Sequence, residues 1–310
     1  MNSAHLHLLL NHAPTVGTVA AVGLLLLAFV RRSEALKHAA LEALVLVALV
    51  TLPVFTTGVA AHRALREHPE ISDSATRAHQ DAAIGGFAVT EFAGFMAWIA
   101  LWQFRQRGRA SRSVVGGALL LSVVALALMG RAATLGGEIR HPEIRAVVEE
   151  QAADPPQFVA AAISNYMANS SRWAWPAAET LHFLGLSLSL GVLLAVNLRI
   201  LGVIRRMPFA DVHRLLPWGM LGLGVNLITG MLFVVAQPAQ YVESAPFHWK
   251  ILFLLIAGAN FLYLTVSKWP WAADGAGASA ADKAMAIVSI TAWLGVLYAG
   301  RMLPFLGNAF

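Results

Sequence analysis

The chain has 310 residues, of which 58% are hydrophobic and only 13% charged, with a formal net charge of +5. So apolar a composition excludes an ordinary soluble domain, in which charged residues alone approach about a quarter. Cysteine is absent, which excludes disulfides, iron–sulfur clusters, thiolate metal sites and covalently attached c-type haem, and leaves His, Met or carboxylate to hold any redox centre in this chain.

Apolar runs close to the ~20-residue spanning length recur at about 13–30, 37–58, 82–104, 114–136, 174–197, 216–236, 249–267 and 284–303. Each is expected to be helical, because lipid cannot satisfy an open backbone. The expected fold is an all-α integral membrane protein of about eight transmembrane helices. No Lys or Arg precedes the first run and no small-residue cleavage site follows it, so it reads as a retained span and not as a signal peptide. Arg31, Arg32 and Lys37 follow that run. Arg105, Arg107, Arg109 and Arg112 follow the third, Arg199, Arg205 and Arg206 the fifth, and Lys268 and Lys283 flank the loop after the seventh. Positive residues mark the cytoplasmic ends of spans, so both termini are expected outside, in a multi-pass protein of a bacterial inner membrane. The net charge is then a matter of topology, and nucleic-acid binding is not expected.

In chain order, the first run opens as NHAPTVG with His12 at its mouth. The third opens as RAHQDAAIGGF with His79, and carries Glu91 deeper in. The fourth ends as MGRAATLGGE with Arg131. The fifth holds Glu179 and His182 in AAETLHFLGLSLSLG, the seventh starts at His248, and the eighth ends as YAGRMLPFLGN with Arg301. Gly23 and Arg31 recur as Gly191 and Arg199 at the same spacing, and Gly130-Arg131 recurs as Gly300-Arg301. This echo predicts two four-helix bundles, 1–140 and 173–310. Residues 141–172 join them as an interfacial linker with a Pro-Pro break, a Trp pair and a short helix on the membrane.

Nine of the eleven histidines fall on or near the outer face. In an up-down bundle the first and third helices are diagonal, as are the fifth and seventh, and a diagonal imidazole pair is how a bundle grips a b-type haem. His12 and His79 are the expected first pair, with Arg131 on the propionates. His182, with His248 or another histidine, is the expected second, with Arg301. The competing interpretation is that these rings snorkel to the interface and the arginines to lipid phosphate. Glu91 reads as a proton carrier suited to a quinone-linked role, or equally as a protonated carboxyl bonded to a carbonyl. Glu179 is expected to orient His182 or to accept from Arg172. Its single E-x-x-H lacks the second copy that a di-iron site needs. His5 and His7 with His62 and His68 form a further candidate copper or zinc site. No Walker A loop, nucleophile elbow or zinc-peptidase motif is present.

Asn11, His12, Pro14 and Gly17, then Pro53, Thr57 and Gly58, then His79 and Ala83, resemble an uncharacterised family of bacterial inner-membrane proteins. Trp173, Pro176, Glu179, His182 and Gly185, followed by Arg199, Gly202, Lys250 and Asn260, resemble a second such family, also of the domain-of-unknown-function class. The loop VAAHRALREHPE departs from the acidic loop of the first family. The resemblance covers nearly the whole chain and implies a fusion of two modules, with His12, His79 and His182 marked out, but no established activity. The functional expectation is a b-type cytochrome-like subunit with one or two haems, passing electrons between the quinone pool and a periplasmic cytochrome c or dehydrogenase, an electron-transfer subunit being expected more than a free-standing enzyme. The alternatives are a transporter or metal-handling permease with a path past Glu91, Arg131 and Arg301, and a structural anchor subunit of a membrane complex.

Overall fold

The computed structural model of the chain describes residues 3–65, 68, 71–140, 158–269, 272 and 277–306, and these contain helices and no strands. α1 (Ser3–Leu10) and α2 (His12–Arg31) meet at Asn11, followed by α3 (Glu34–Leu65), α4 (Asp73–Arg107) and α5 (Arg112–Arg140). Next in the described residues come α6 (Val159–Asn165), a π-helical turn over Tyr166–Ser170, and α7 (Ala174–Ile200). The chain continues through α8 (Phe209–His213), α9 (Leu216–Ala236), α10 (Pro238–Val242), α11 (Ala245–Val266) and α12 (Ala280–Leu306). Eight of these units are long and apolar enough to cross a membrane: α1 with α2, α3, α4, α5, α7, α8 with α9, α11 and α12. The chain is an all-α membrane protein, as its apolar runs imply.

Local chemistry sets the helix ends. Ser72 caps α4 by accepting from the Ala75 N–H at 3.3 Å. Gly108, at φ +69°, closes the same helix in the left-handed conformation that glycine adopts without a Cβ clash. α3 runs on through Pro53, where the Thr57 hydroxyl donates to the Pro53 carbonyl at 2.7 Å.

α2 packs on α3, α3 on α4, α4 on α5, and α5 returns to α2, which closes one four-helix set. In the second set α7 packs on α9 and α12, and α11 on α12, while α9 and α11 each lean on α3 and α4. One continuous buried core therefore crosses between the halves, from Leu41 and Trp98 to Phe261 and Trp293. At its centre the Trp98 ring lies 4.8 Å from that of Phe261, and its Nε1–H donates to the Thr265 hydroxyl at 2.9 Å. Small residues bring helices together here: a Cβ on Gly94 would lie 2.5 Å from Ala48 Cβ, and one on Gly258 as close to Leu49.

An even number of crossings puts the start of the first and the end of the last on one face, called here the terminal face. The arginine-rich loops lie on the other, the basic face. Residues 141–157 of the expected linker lie outside the described residues, as do most of the loop after Trp269 and the end of the chain from Gly307. The short helix expected in the linker is α6. Its first N–H groups, of Val159 and Ala160, donate to the Asp81 carboxylate of α4 at 2.7 and 3.0 Å. Ser164 donates to the Ala236 carbonyl of α9 at 3.0 Å, so α6 bridges the two halves. Arg63 and Glu243, 2.6 Å apart, add a second bridge on the same face.

Candidate histidine centre

α1 packs back against α3, which brings His7 onto the outer third of that helix. Its Nδ1–H donates to the Val54 carbonyl at 3.1 Å. Four residues further on is Gly58, where a Cβ would lie only 2.9 Å from His7 Cε1. The geometry has a simple cause. Side chains in an α-helix tilt toward the N-terminus, so the group at position i+4 leans over the carbonyl of residue i. A glycine there leaves the carbonyl lone pair open to an imidazole from another helix.

The same device recurs at His79. Its Nδ1–H donates to the Ala132 carbonyl of α5 at 2.8 Å, and four residues on is Gly136, where a Cβ would lie 3.2 Å from His79 Cε1 and Nδ1. A carbonyl only accepts, so both imidazoles carry their proton on Nδ1 and present a bare Nε2. Neither Nε2 has a hydrogen-bond partner among the described residues. Both rings are half-buried. The two histidines anchored in this way are thus His7 and His79. His12 is exposed on α2, and Arg131, one residue before Ala132, is exposed as well.

In the second half His182 is held differently. The Thr229 hydroxyl donates to the Val225 carbonyl at 2.7 Å, so it accepts from His182 Nδ1–H at 2.8 Å. Asn226 of the same helix donates to the His182 carbonyl at 2.8 Å. Thr229 therefore orients this ring, where Glu179 was expected to. Glu179 is exposed, and its charge acts on Tyr241. The Tyr241 hydroxyl, in the connection between two spans, is pushed up to about 12, first by burial and second by Glu179. His248 is exposed beside Phe247 at the start of α11. Lys250, two residues further along that helix, is half-buried. Arg301 is exposed and stacks on Phe305 at 5.2 Å.

Glu91 lies two turns toward the terminal face from Trp98 on the same side of α4, and its Oε1 is buried without a hydrogen-bond partner. His213, near the basic face, is the saturated counter-example: Gln106 donates to its Nδ1 at 2.6 Å, and its Nε2–H donates to the Leu264 carbonyl at 3.2 Å. With both nitrogens committed, that ring is a structural bridge. Among the described residues no three or more His, Asp or Glu side chains gather where a metal ion could share them, so His5, His7, His62 and His68 do not form the cluster that their spacing suggested. No family model, no curated protein and no solved structure matches the chain.

Proposed function

We propose that the chain is a membrane electron-transfer subunit that holds one b-type haem near its terminal face, between His7 and His79. The observation that carries this reading is the matched anchoring of the two rings, each on a carbonyl that a glycine four residues on leaves open. Hydrogen bonds from Nδ1–H fix the tautomer, the ring plane and the direction of Nε2, and raise the donor strength of the nitrogen left bare. A pair of imidazoles with no third protein ligand suits a macrocycle better than a free zinc ion, which takes three or four side chains. A haem held by His7 and His79 would supply one-electron transfer. Arg131, next in sequence to the Ala132 anchor, is a cation available to propionates at the rim.

On this reading the chain sits in a bacterial inner membrane with the terminal face outward, as the arginine-rich loops of the opposite face imply. It exchanges electrons between the quinone pool and a periplasmic cytochrome c or dehydrogenase. His248, the expected partner of His182, is exposed, so the count is one haem and not two. The buried Glu91 favours a second reading, ion or proton translocation. Metal and pigment analysis of the folded, detergent-purified chain, expressed with ample haem, decides between them. One b haem per chain supports the electron-transfer subunit. A colourless protein, or one loaded with zinc or copper, overturns it.

A further inference from the structure

The basic face carries a cleft that the haem reading does not use. Its volume is about 590 Å³, and it is lined by Glu34 and Lys37 from the start of α3 and by Arg107, Arg109, Ser111 and Arg112 from the connection of α4 to α5. The acid among them, Glu34, is taken by Lys37 at 2.6 Å, and that ammonium stands 5.8 Å from the Phe104 ring and 6.0 Å from that of Phe29. Arg107, Arg109 and Arg112 have no carboxylate or other hydrogen-bond partner among the described residues. Like charges around one cleft repel unless an anion sits between them. The loop that carries them is fixed in advance: Gly108 turns it at φ +69°, and the Ser111 N–H donates to Gln103 Oε1 at 2.7 Å.

Depth and surroundings select the anion. Arg107 follows the apolar run of α4, which ends at about 104, and Arg112 precedes that of α5, which starts at about 114. Two or three helical residues span about 3–5 Å, and the headgroup layer is about 5–8 Å deep on each side, so the cleft opens at the level of lipid phosphates. A guanidinium fork matches phosphate oxygens. The N-terminus of α5 opens on the same cleft, its first backbone bond running from the Val115 N–H to the Ser111 carbonyl, and adds partial positive charge. Phe29 leads from Lys37 to the lipid-facing side of α2, where Leu26 and Val30 are 50% and 79% exposed and can take acyl chains. A zwitterionic lipid brings an ammonium that these cations oppose. We infer that the cleft binds the headgroup of an anionic phospholipid, its phosphate against Arg107, Arg109 and Arg112. This site stands independently of the haem at His7 and His79, which lies toward the opposite face.

The test is native mass spectrometry of the full detergent-purified chain, titrated with dioleoyl phosphatidylglycerol and with the matching phosphatidylcholine. The first phosphatidylglycerol is expected to bind on the order of tenfold or more tightly than phosphatidylcholine, each cation near the surface being worth about fivefold. Arg107→Gln, Arg109→Gln and Arg112→Gln together are expected to abolish that preference; the three side chains are exposed, so the variant is expected to fold. Arg205→Gln with Arg206→Gln, on the next basic loop, keeps it. Glycerol phosphate, which has the anion without the chains, is expected not to displace the lipid at equal concentration. His7→Ala leaves the preference unchanged, which separates this site from the haem. Equal binding of the two lipids by the wild type, an undiminished preference in the triple variant, or displacement by glycerol phosphate overturns the inference.

Discussion

His7 and His79 in the first half and His182 in the second lie toward the same face of the protein, and each imidazole is fixed through Nδ1. They differ in what does the fixing. In the first half the acceptors are helix carbonyls uncovered by glycine. In the second half the acceptor is the Thr229 hydroxyl. An oriented Nε2 is thus a general part, and His213, with both nitrogens bonded, shows the purely structural use.

The largest effects that sharpen this contrast lie at the glycines. Gly58→Leu and Gly136→Leu are expected to push the imidazoles off their carbonyls and to lower haem content more than tenfold, read by pyridine haemochrome. Gly58→Ala is expected to cost more haem than Gly136→Ala, because its Cβ would lie 2.9 Å and not 3.2 Å from the ring. Gly230→Ala is the control in the second half: its Cβ would meet His182 Cε1 at an ordinary 3.7 Å, so haem content stays as in the wild type.

Next comes Thr229→Val, which leaves His182 Nδ1–H without its acceptor. A loss of about 1–2 kcal/mol in unfolding stability is expected, with haem content unchanged. A fall in haem on this substitution contradicts the division between the two halves. Asp81→Ala removes the carboxylate that holds the start of α6, at a cost of about 1 kcal/mol or less, seen as faster amide exchange confined to α6.

The smallest effect is at Tyr241. Its folded value, about 12, lies above the ordinary 10.0, so its contribution to stability is complete below pH 10 and is lost as pH rises through 12. Glu179→Gln is expected to bring the hydroxyl only part of the way down, because burial is the larger cause. Ultraviolet difference titration of the tyrosines reads both.

Much of the fold was legible because hydropathy alone locates membrane spans, and all eight apolar runs became crossing helices. The ends were less so. The third run, expected from about 82, begins at Asp73, since its first turns are amphipathic and carry His79. Depth was also legible: His79 and His182 do face the interior near the terminal face. Rotation about the helix axis was not. In a bilayer the lipid-facing and core-facing sides are both apolar, so periodicity does not say which way His12, His248, Arg131 or Arg301 points, and all four are exposed. His7 was grouped with an outer metal cluster because it precedes the first apolar run. Only the packing of α1 onto α3 reveals its carbonyl and its glycine.

The most direct test of the central claim is the dithionite-reduced minus air-oxidised visible spectrum of the detergent-purified chain, set beside those of His7→Ala, His79→Ala and His12→Ala. The account predicts a sharp b-type α-band in the wild type and in His12→Ala, and its loss in both His7→Ala and His79→Ala. A band that survives removal of His7 and disappears with His12, or no band at all, contradicts it.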